Sequence, residues 1–233
     1  MELTSLINKL KSKKELKDLD DNFIKARINE YLLKNKVDLD NERNKNYRLM
    51  FKFLRKQLRE VYGVFRVIKE ERNIEFYKEV FDEFKPKSVM DLGCGLEPLR
   101  YTTINPNTKY YCYDINIKEI KKINELFKKN NINGKARSFN LINDLSNLPK
   151  VDLCMILKVL ESLESIKKNF SKELLKKIKS KIIIVSFAKI ALGKNIRIKK
   201  AGRSWFRRIL KELNYNYYIK DYDDEIFFVI KKL

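Results

Sequence analysis

Apolar residues in the first third of the chain recur at three- and four-residue steps. SLINKL, FIKARINEYLL, YRLMFKFLRKQLREVY and IEFYKEVFDEF all carry this helical period. No glycine precedes Gly63 and no proline precedes Pro86, while Asp and Asn clusters near 18–22 and 38–46 mark breaks. Residues 1–84 are thus expected to form an all-helical extension. After Pro86 short apolar runs alternate with helical stretches. SVMDLG, YYCYDI (110–115), NGKARSFNL, VDLCMIL (151–157) and KIIIVSF (181–187) read as strands. Helices are expected over 118–129, from Leu160 to about Lys179, and around 204–213. Two final strands, YNYYIKDY and EIFFVIKK, flank a tight turn at Asp223-Asp224. Such alternation predicts an α/β domain over 85–233, a Rossmann-like sheet of seven strands whose last strand runs antiparallel.

One motif in that domain bears chemistry. Asp91-Leu92-Gly93-Cys94-Gly95 closes the first strand, and its glycines let the backbone approach a ligand. The turn lies at the carboxyl edge of the sheet, ahead of the next helix. No third glycine follows, since Pro98 stands there, so the dinucleotide fingerprint is incomplete. The second strand ends in Asp114-Ile115, where an acid can accept from ribose hydroxyls. Asp144-Leu145 stand where a carboxylate can accept from an adenine amine. Each acid alone is more often a helix cap or turn residue. Strand, glycine turn and two acids in this order read together as an S-adenosylmethionine site.

Composition narrows the reaction. The 233 residues include no His, which excludes Ser-His-Asp and Cys-His catalysis and His-ligated metals. Cys94, Cys112 and Cys154 are too scattered for a zinc site or a disulfide framework, so no metal is expected, and unpaired thiols suit a reducing cytoplasm. No apolar run reaches the ~18 residues of a membrane span, and the early charges in MELTSLINKLKSKK do not suit a secretory signal. No Cys has the context of a pyrimidine carbon-5 nucleophile. The segment after the fourth strand, Leu157-Lys158-Val159-Leu160-Glu161, lacks the Asn/Asp-Pro-Pro-aromatic loop of amine methylation. A nucleophile with a free lone pair, such as guanine N7, remains. It needs alignment and exclusion of water rather than a general base.

Charge suggests the partner. The formal net charge is +21, and residues 86–233 carry 31 of the 52 basic side chains against 15 of the 31 acids. Between Ile166 and Lys211 Glu173 is the sole acid; between Arg43 and Lys69 it is Glu60. Arg48, Lys52, Arg55, Lys56 and Arg59 recur at helical steps and share one face, with Phe51, Leu54, Leu58, Val61 and Phe65 expected on the buried side. Lys189, Lys194, Arg197, Lys199, Lys200, Arg203, Arg207 and Arg208 form the second patch, with Trp205 among them. A field of this sign favours RNA, with an anionic membrane surface as the weaker partner. Phe187 and Trp205 are candidates for stacking on a flipped base, although aromatic residues serve more often in cores. Lys158 reads either as a snorkelling strand-end lysine or as an active-site cation.

DLGCGLEPL, YDI, LKVLESLE, VSFAKIALG, SWF and a closing pair ending in VIKK resemble the aminoglycoside-resistance 16S ribosomal RNA (guanine-N7) methyltransferases, the Arm/Kgm-like family. The resemblance runs through 88–231, and the helical N-terminus is similar to that family's RNA-binding extension. It implies a class I methyltransferase sheet binding S-adenosyl-L-methionine, with the small ribosomal subunit or its rRNA as partner and a monomeric chain. By that likeness Gly93 and Gly95 line the methionine part, Asp114 holds the ribose, and Asp144 with Leu145 flanks the adenine. Leu157 and Lys158 lie on the cofactor's active face, and Arg72 pairs with the methionine carboxylate; Lys158 and the stacking candidate Phe187 are then the catalytic candidates. Departures occur near the target base. Ile68-Lys69 replace Ser-Thr, Ala188-Lys189-Ile190 follow Ser186-Phe187 where the family has Pro and then a basic residue, and Gly202-Arg203 lacks Asn-Tyr. They leave room for an archaeal-type housekeeping relative, for a transfer RNA guanine as target, or for a non-catalytic ribosome-assembly factor. A methyltransferase for small molecules or proteins fits the basic excess poorly.

Overall fold

A computed structural model describes residues 3–60, 72–142, 145–190, 198 and 203–232. Seven strands form one sheet in the order β3-β2-β1-β4-β5-β7-β6. They are β1 (Ser88–Leu92), β2 (Lys109–Asp114), β3 (Gly134–Ser138), β4 (Val151–Leu157), β5 (Ser180–Ala188), β6 (Asn216–Asp221) and β7 (Glu225–Lys231). β1 to β5 pair in parallel, and β7 lies antiparallel between β5 and β6. This is the class I Rossmann-like methyltransferase architecture. The chain starts at central β1, winds out through β2 and β3, then returns to β4 on the other side. That reversal opens a crevice at the carboxyl ends of β1 and β4.

The sheet is covered on both faces, which is why β4, β5 and β7 read as unbroken apolar runs. Successive residues point to opposite faces. Met90, Cys154, Ile183 and Phe228 enter one cluster, and Val89, Leu153, Ile184 and Val229 the other. The first is covered by α7 (Leu160–Ile166), α8 (Phe170–Lys177) and α9 (Ser204–Glu212), the second by α4 (Ile74–Phe84) and α6 (Ile117–Lys129). A short helix, α5 (Pro98–Tyr101), follows the glycine turn.

A third cluster joins α1 (Leu3–Leu10), α2 (Asp21–Lys34) and α3 (Lys45–Leu58) through Leu6, Leu10, Ile24, Ile28, Met50 and Leu54. Asp20 and Asn44 cap α2 and α3 by accepting backbone N–H groups. The stretch expected as one extension, 1–84, therefore divides in its packing, because α4 sits on the sheet and the helices through Leu58 share a core of their own. That core docks at the end of β2. Asp20 N donates to Ile115 O at 3.2 Å, Lys118 pairs with Asp18 at 2.7 Å, and Ile115 and Ile166 pack against the cluster.

The helix expected from Leu160 to about Lys179 is two helices. Asn169, at φ 64°, breaks it. The Glu164 carboxylate draws the chain round by accepting from Ser171 N at 2.9 Å and Ser171 Oγ at 2.7 Å. Side chains that compete for backbone groups interrupt an otherwise helical apolar period.

Candidate active site

The glycine turn hangs from β2. Gly93 N and Cys94 N both donate to Tyr113 O, at 2.8 and 3.1 Å. Gly93 adopts φ +75°, and a Cβ there would stand 2.5 Å from Val159 Cγ2, so glycine is required twice over. Gly95 also has positive φ, +54°, yet a Cβ there would meet nothing within 4 Å. Its N–H donates to Asp114 Oδ2 at 2.9 Å, while Asp114 Oδ1 accepts from Asn116 N at 2.9 Å. Asp114 thus ties the glycine turn to the start of α6, beside the open space at Gly95. Just past β3, Asn140 has a buried amide nitrogen with no hydrogen-bond partner among the described residues. A positive-φ turn, open space against a carboxylate and an unsatisfied amide donor fit a nucleoside, whose ribose hydroxyls can donate to the carboxylate and whose ring nitrogens can accept from the amide.

Behind the turn Asp91 is 2% exposed and accepts from Tyr101 Oη at 2.8 Å. Burial pushes its carboxyl up to about 7, against the opposing hydrogen bond from Tyr101. Burial likewise pushes the Cys94 and Cys154 thiols up, so neither presents a thiolate nucleophile.

A second constellation stands at the ends of β4, β5 and β7. Arg72 Nε and Nη2 donate to the two oxygens of Glu225, each at 3.0 Å. Arg72 Nη1 also donates to Tyr77 Oη at 2.8 Å, and that hydroxyl donates to Glu97 at 2.7 Å. Lys158 Nζ lies 3.3 Å from Glu225, and Ser186 Oγ donates to the same carboxylate. Burial works against the charge on Arg72, but Tyr77, Glu225 and Glu97 more than offset it, so the guanidinium stays protonated. Lys158 holds a strained φ of 59°, its N–H donating to Ser186 Oγ at 3.0 Å.

The structure thus brings Gly93, Cys94, Gly95 and Asp114 together, and separately Arg72 and Lys158; Leu145 and Leu157 are buried in the clusters on opposite faces of the sheet. Asp144, Lys194, Arg197, Lys199 and Lys200 lie outside the described residues, as do Val61 and Phe65. Ile115 is half-buried and turns toward the helical cluster. Three expectations change. Phe187 is fully buried, with ring centroids 5.0 to 5.8 Å from Phe206, Phe228 and Trp205; packed on all sides, it supports the site from behind and offers no face to a base. Arg203 is 2% exposed, donates to Ala188 O and sits 5.6 Å over the Phe187 ring. It braces β5 and is no surface cation. Arg55 donates to Lys9 O at 2.7 Å and to Ser12, fastening the end of α1, whereas Arg48, Lys52, Lys56 and Arg59 around it are exposed. Arg207 and Arg208 are exposed on α9, and Lys189 is paired with Asp221 at 2.9 Å. Sequence reasoning missed Glu225, Glu97, Tyr77 and Tyr101. Only Glu225 left a trace, as an acid heading a strand that is otherwise apolar through Ile230.

Comparison with known proteins places this fold. The family described as Ribosomal RNA methyltransferase (FmrO) matches residues 61–204. The chain belongs to that ribosomal RNA methyltransferase family. A 16S rRNA (guanine(1405)-N(7))-methyltransferase of Micromonospora echinospora is 29% identical over 122 residues, covering 51% of this chain and 44% of the relative. One from Frankia casuarinae is 27% identical over the same length, covering 43% of its own chain. The match thus spans less than half the length of these curated relatives. Among solved structures, the 16S rRNA methyltransferase RmtF in complex with S-adenosyl-L-homocysteine shares the fold at TM-score 0.78 and 19% identity, with both chains fully covered. The 16S rRNA methylase RmtB does so at 0.71 and 16%, covering 100% of this chain and 99% of its own.

Proposed function

We propose that this chain transfers the methyl group of S-adenosyl-L-methionine to N7 of a guanine in small-subunit ribosomal RNA. The observation that carries the reading is the turn at Gly93–Gly95, open at Gly95 and fastened to Asp114, in a chain of this family. The cofactor would supply a methyl group already activated by the sulfonium charge. Gly93, Gly95 and Asp114 would hold it, with Asp144 and Leu145 toward the adenine and Leu157 toward the methyl group. Arg72 would take the methionine carboxylate by exchanging it for Glu225, the carboxylate it holds in this structure. The chain's own work is then placement, since a guanine N7 lone pair needs no base to activate it. Lys158, held by Glu225 in the second constellation, would face the reaction from there. Arg48, Lys52, Lys56 and Arg59 on α3, with Arg207 and Arg208 on α9, would neutralise phosphates. The residues through Leu58 would form the RNA-binding unit, in a cytoplasmic, monomeric protein.

The test is transfer of tritiated methyl groups to 30S particles, free ribosomal RNA and transfer RNA, followed by borohydride–aniline cleavage. Labelled 30S particles or 16S RNA cleaved at one guanine is the expected result. Label without cleavage removes the N7 assignment, label confined to transfer RNA moves the target, and RNA binding without label indicates an assembly factor with a vestigial pocket.

A further inference from the structure

The outer arc of α3 is not purely basic. Asn46, Leu49 and Phe53 follow one another at helical steps along its edge, so they form a stripe beside Lys45, Arg48 and Lys52. Leu49 is 51% exposed and Phe53 49%. The Phe53 ring lies 5.2 Å from that of Tyr31, which is also partly exposed. Single exposed apolar residues are ordinary on a protein surface. Here, however, the stripe runs into an open hollow of about 630 Å³ between the end of α2 and the start of α3. Half-buried Leu32, Val37 and Leu39 give it apolar walls.

Its polar groups are only partly used. Asn35 Nδ2 donates to Tyr31 O at 2.9 Å, leaving the amide oxygen over. Asn44 Oδ1 accepts from Asn46 N at 2.8 Å, leaving the amide nitrogen over. The Asn46 side chain has no partner among the described residues, and Asp38 spends one oxygen on Asp40 N at 3.0 Å. Apolar walls with spare donors and acceptors at the mouth match a flat heterocycle with a polar edge. Phosphate contact alone would need only the cations, leaving Leu49 and Phe53 without a use. A protein partner would be met through an interface poor in lysine, whereas Lys36, Lys45 and Lys52 surround this one.

We propose that the hollow receives an unpaired base of the RNA, with Leu49 and Phe53 packing against a neighbouring base and Arg48 and Lys52 on the adjoining phosphates. The inference rests on the RNA-binding reading above and adds that the helical unit engages a loop, bulge or single strand, in addition to the site that receives the target guanine.

The test uses the full chain and fluorescence anisotropy with two labelled RNAs of equal length, a hairpin with an unpaired loop and a blunt duplex. Variants are Asn46→Ala and the pair Leu49→Ala with Phe53→Ala, each checked by thermal melting. The wild type is expected to favour the hairpin, and the double variant to lose roughly 5- to 100-fold on the hairpin alone, with duplex affinity and salt slope unchanged. Equal losses on both RNAs, or none on either, would overturn the base pocket while leaving RNA binding in place. A loss seen only with protein-containing ribosomal subunits would overturn it in favour of a protein contact. No RNA binding by the wild type would remove both this inference and the reading beneath it.

Discussion

Arg72 and Glu225, 153 positions apart, meet in a bidentate pair with both N···O distances at 3.0 Å. Glu225 is 2% exposed and also takes Lys158 and Ser186. One carboxylate therefore holds both cations that the family resemblance assigns to the reaction. Glu225→Ala should leave two positive charges facing each other in a largely dry site, at a cost of about 3–5 kcal/mol in urea unfolding. Glu225→Gln keeps the shape and a polar oxygen and should cost less. Equal stability of all three proteins would show that the pair is not structurally important.

The two glycines should separate stability from ligand binding. Gly93→Ala meets Val159 at 2.5 Å in a positive-φ conformation and is expected to lower the melting temperature markedly. Adding Val159→Ala removes the clash and should recover part of that loss, the φ strain persisting. Gly95→Ala has open space and should cost only about 1 kcal/mol through its φ, yet weaken S-adenosylmethionine binding by calorimetry. Unchanged affinity would mean that the space beside Gly95 is not the cofactor cradle.

Asp114→Ala is expected to weaken cofactor binding at least tenfold and leave RNA affinity nearly unchanged. It would remove the proposed ribose acceptor and release Gly95 N and Asn116 N. Asp114→Asn keeps an acceptor oxygen and should fall between. Intact binding in both variants would refute the ribose role.

Asp91 makes stability depend on pH. Its folded carboxyl is raised to about 7 by burial, above the unfolded value. Its contribution is therefore complete below about pH 4 and is lost as pH rises through 7, by up to about 4 kcal/mol. Asp91→Asn should abolish this slope, so the difference in unfolding free energy between variant and wild type should change steadily from pH 4 to 7. A constant difference would show that Asp91 titrates normally.

Two neighbouring cations on α3 should behave differently. If about six phosphates are neutralised, log affinity falls with log salt at a slope near −5, and Lys52→Ala should flatten it by about 0.7–0.9. Arg55→Ala should leave the slope alone and instead lower stability, because Arg55 holds the end of α1. Identical effects of the two would show that Arg55 is an RNA contact after all.

The periods of apolar residues did not show the break at Asn169, which Glu164 and Ser171 set by side-chain hydrogen bonds. They were sufficient for the strands and for most of the helices, because local spacing decides which face an element buries. Asp91, Gly93, Gly95 and Asp114 were legible for the same reason, as they occupy consecutive strand ends in a parallel sheet. Composition alone excluded histidine chemistry, and charge alone pointed to a polyanion. Tertiary structure decided the rest. Nothing in the chain's spacing shows that β7 inserts beside β5 and carries Glu225 to Arg72 and Lys158, since that contact is set by sheet order over 153 residues. Nor does it show that Phe187, Arg203 and Arg55 turn inward, while Lys52, Leu49 and Phe53 stay outside. Burial is a property of what packs against a side chain, and partners from distant segments are fixed only when the whole core closes.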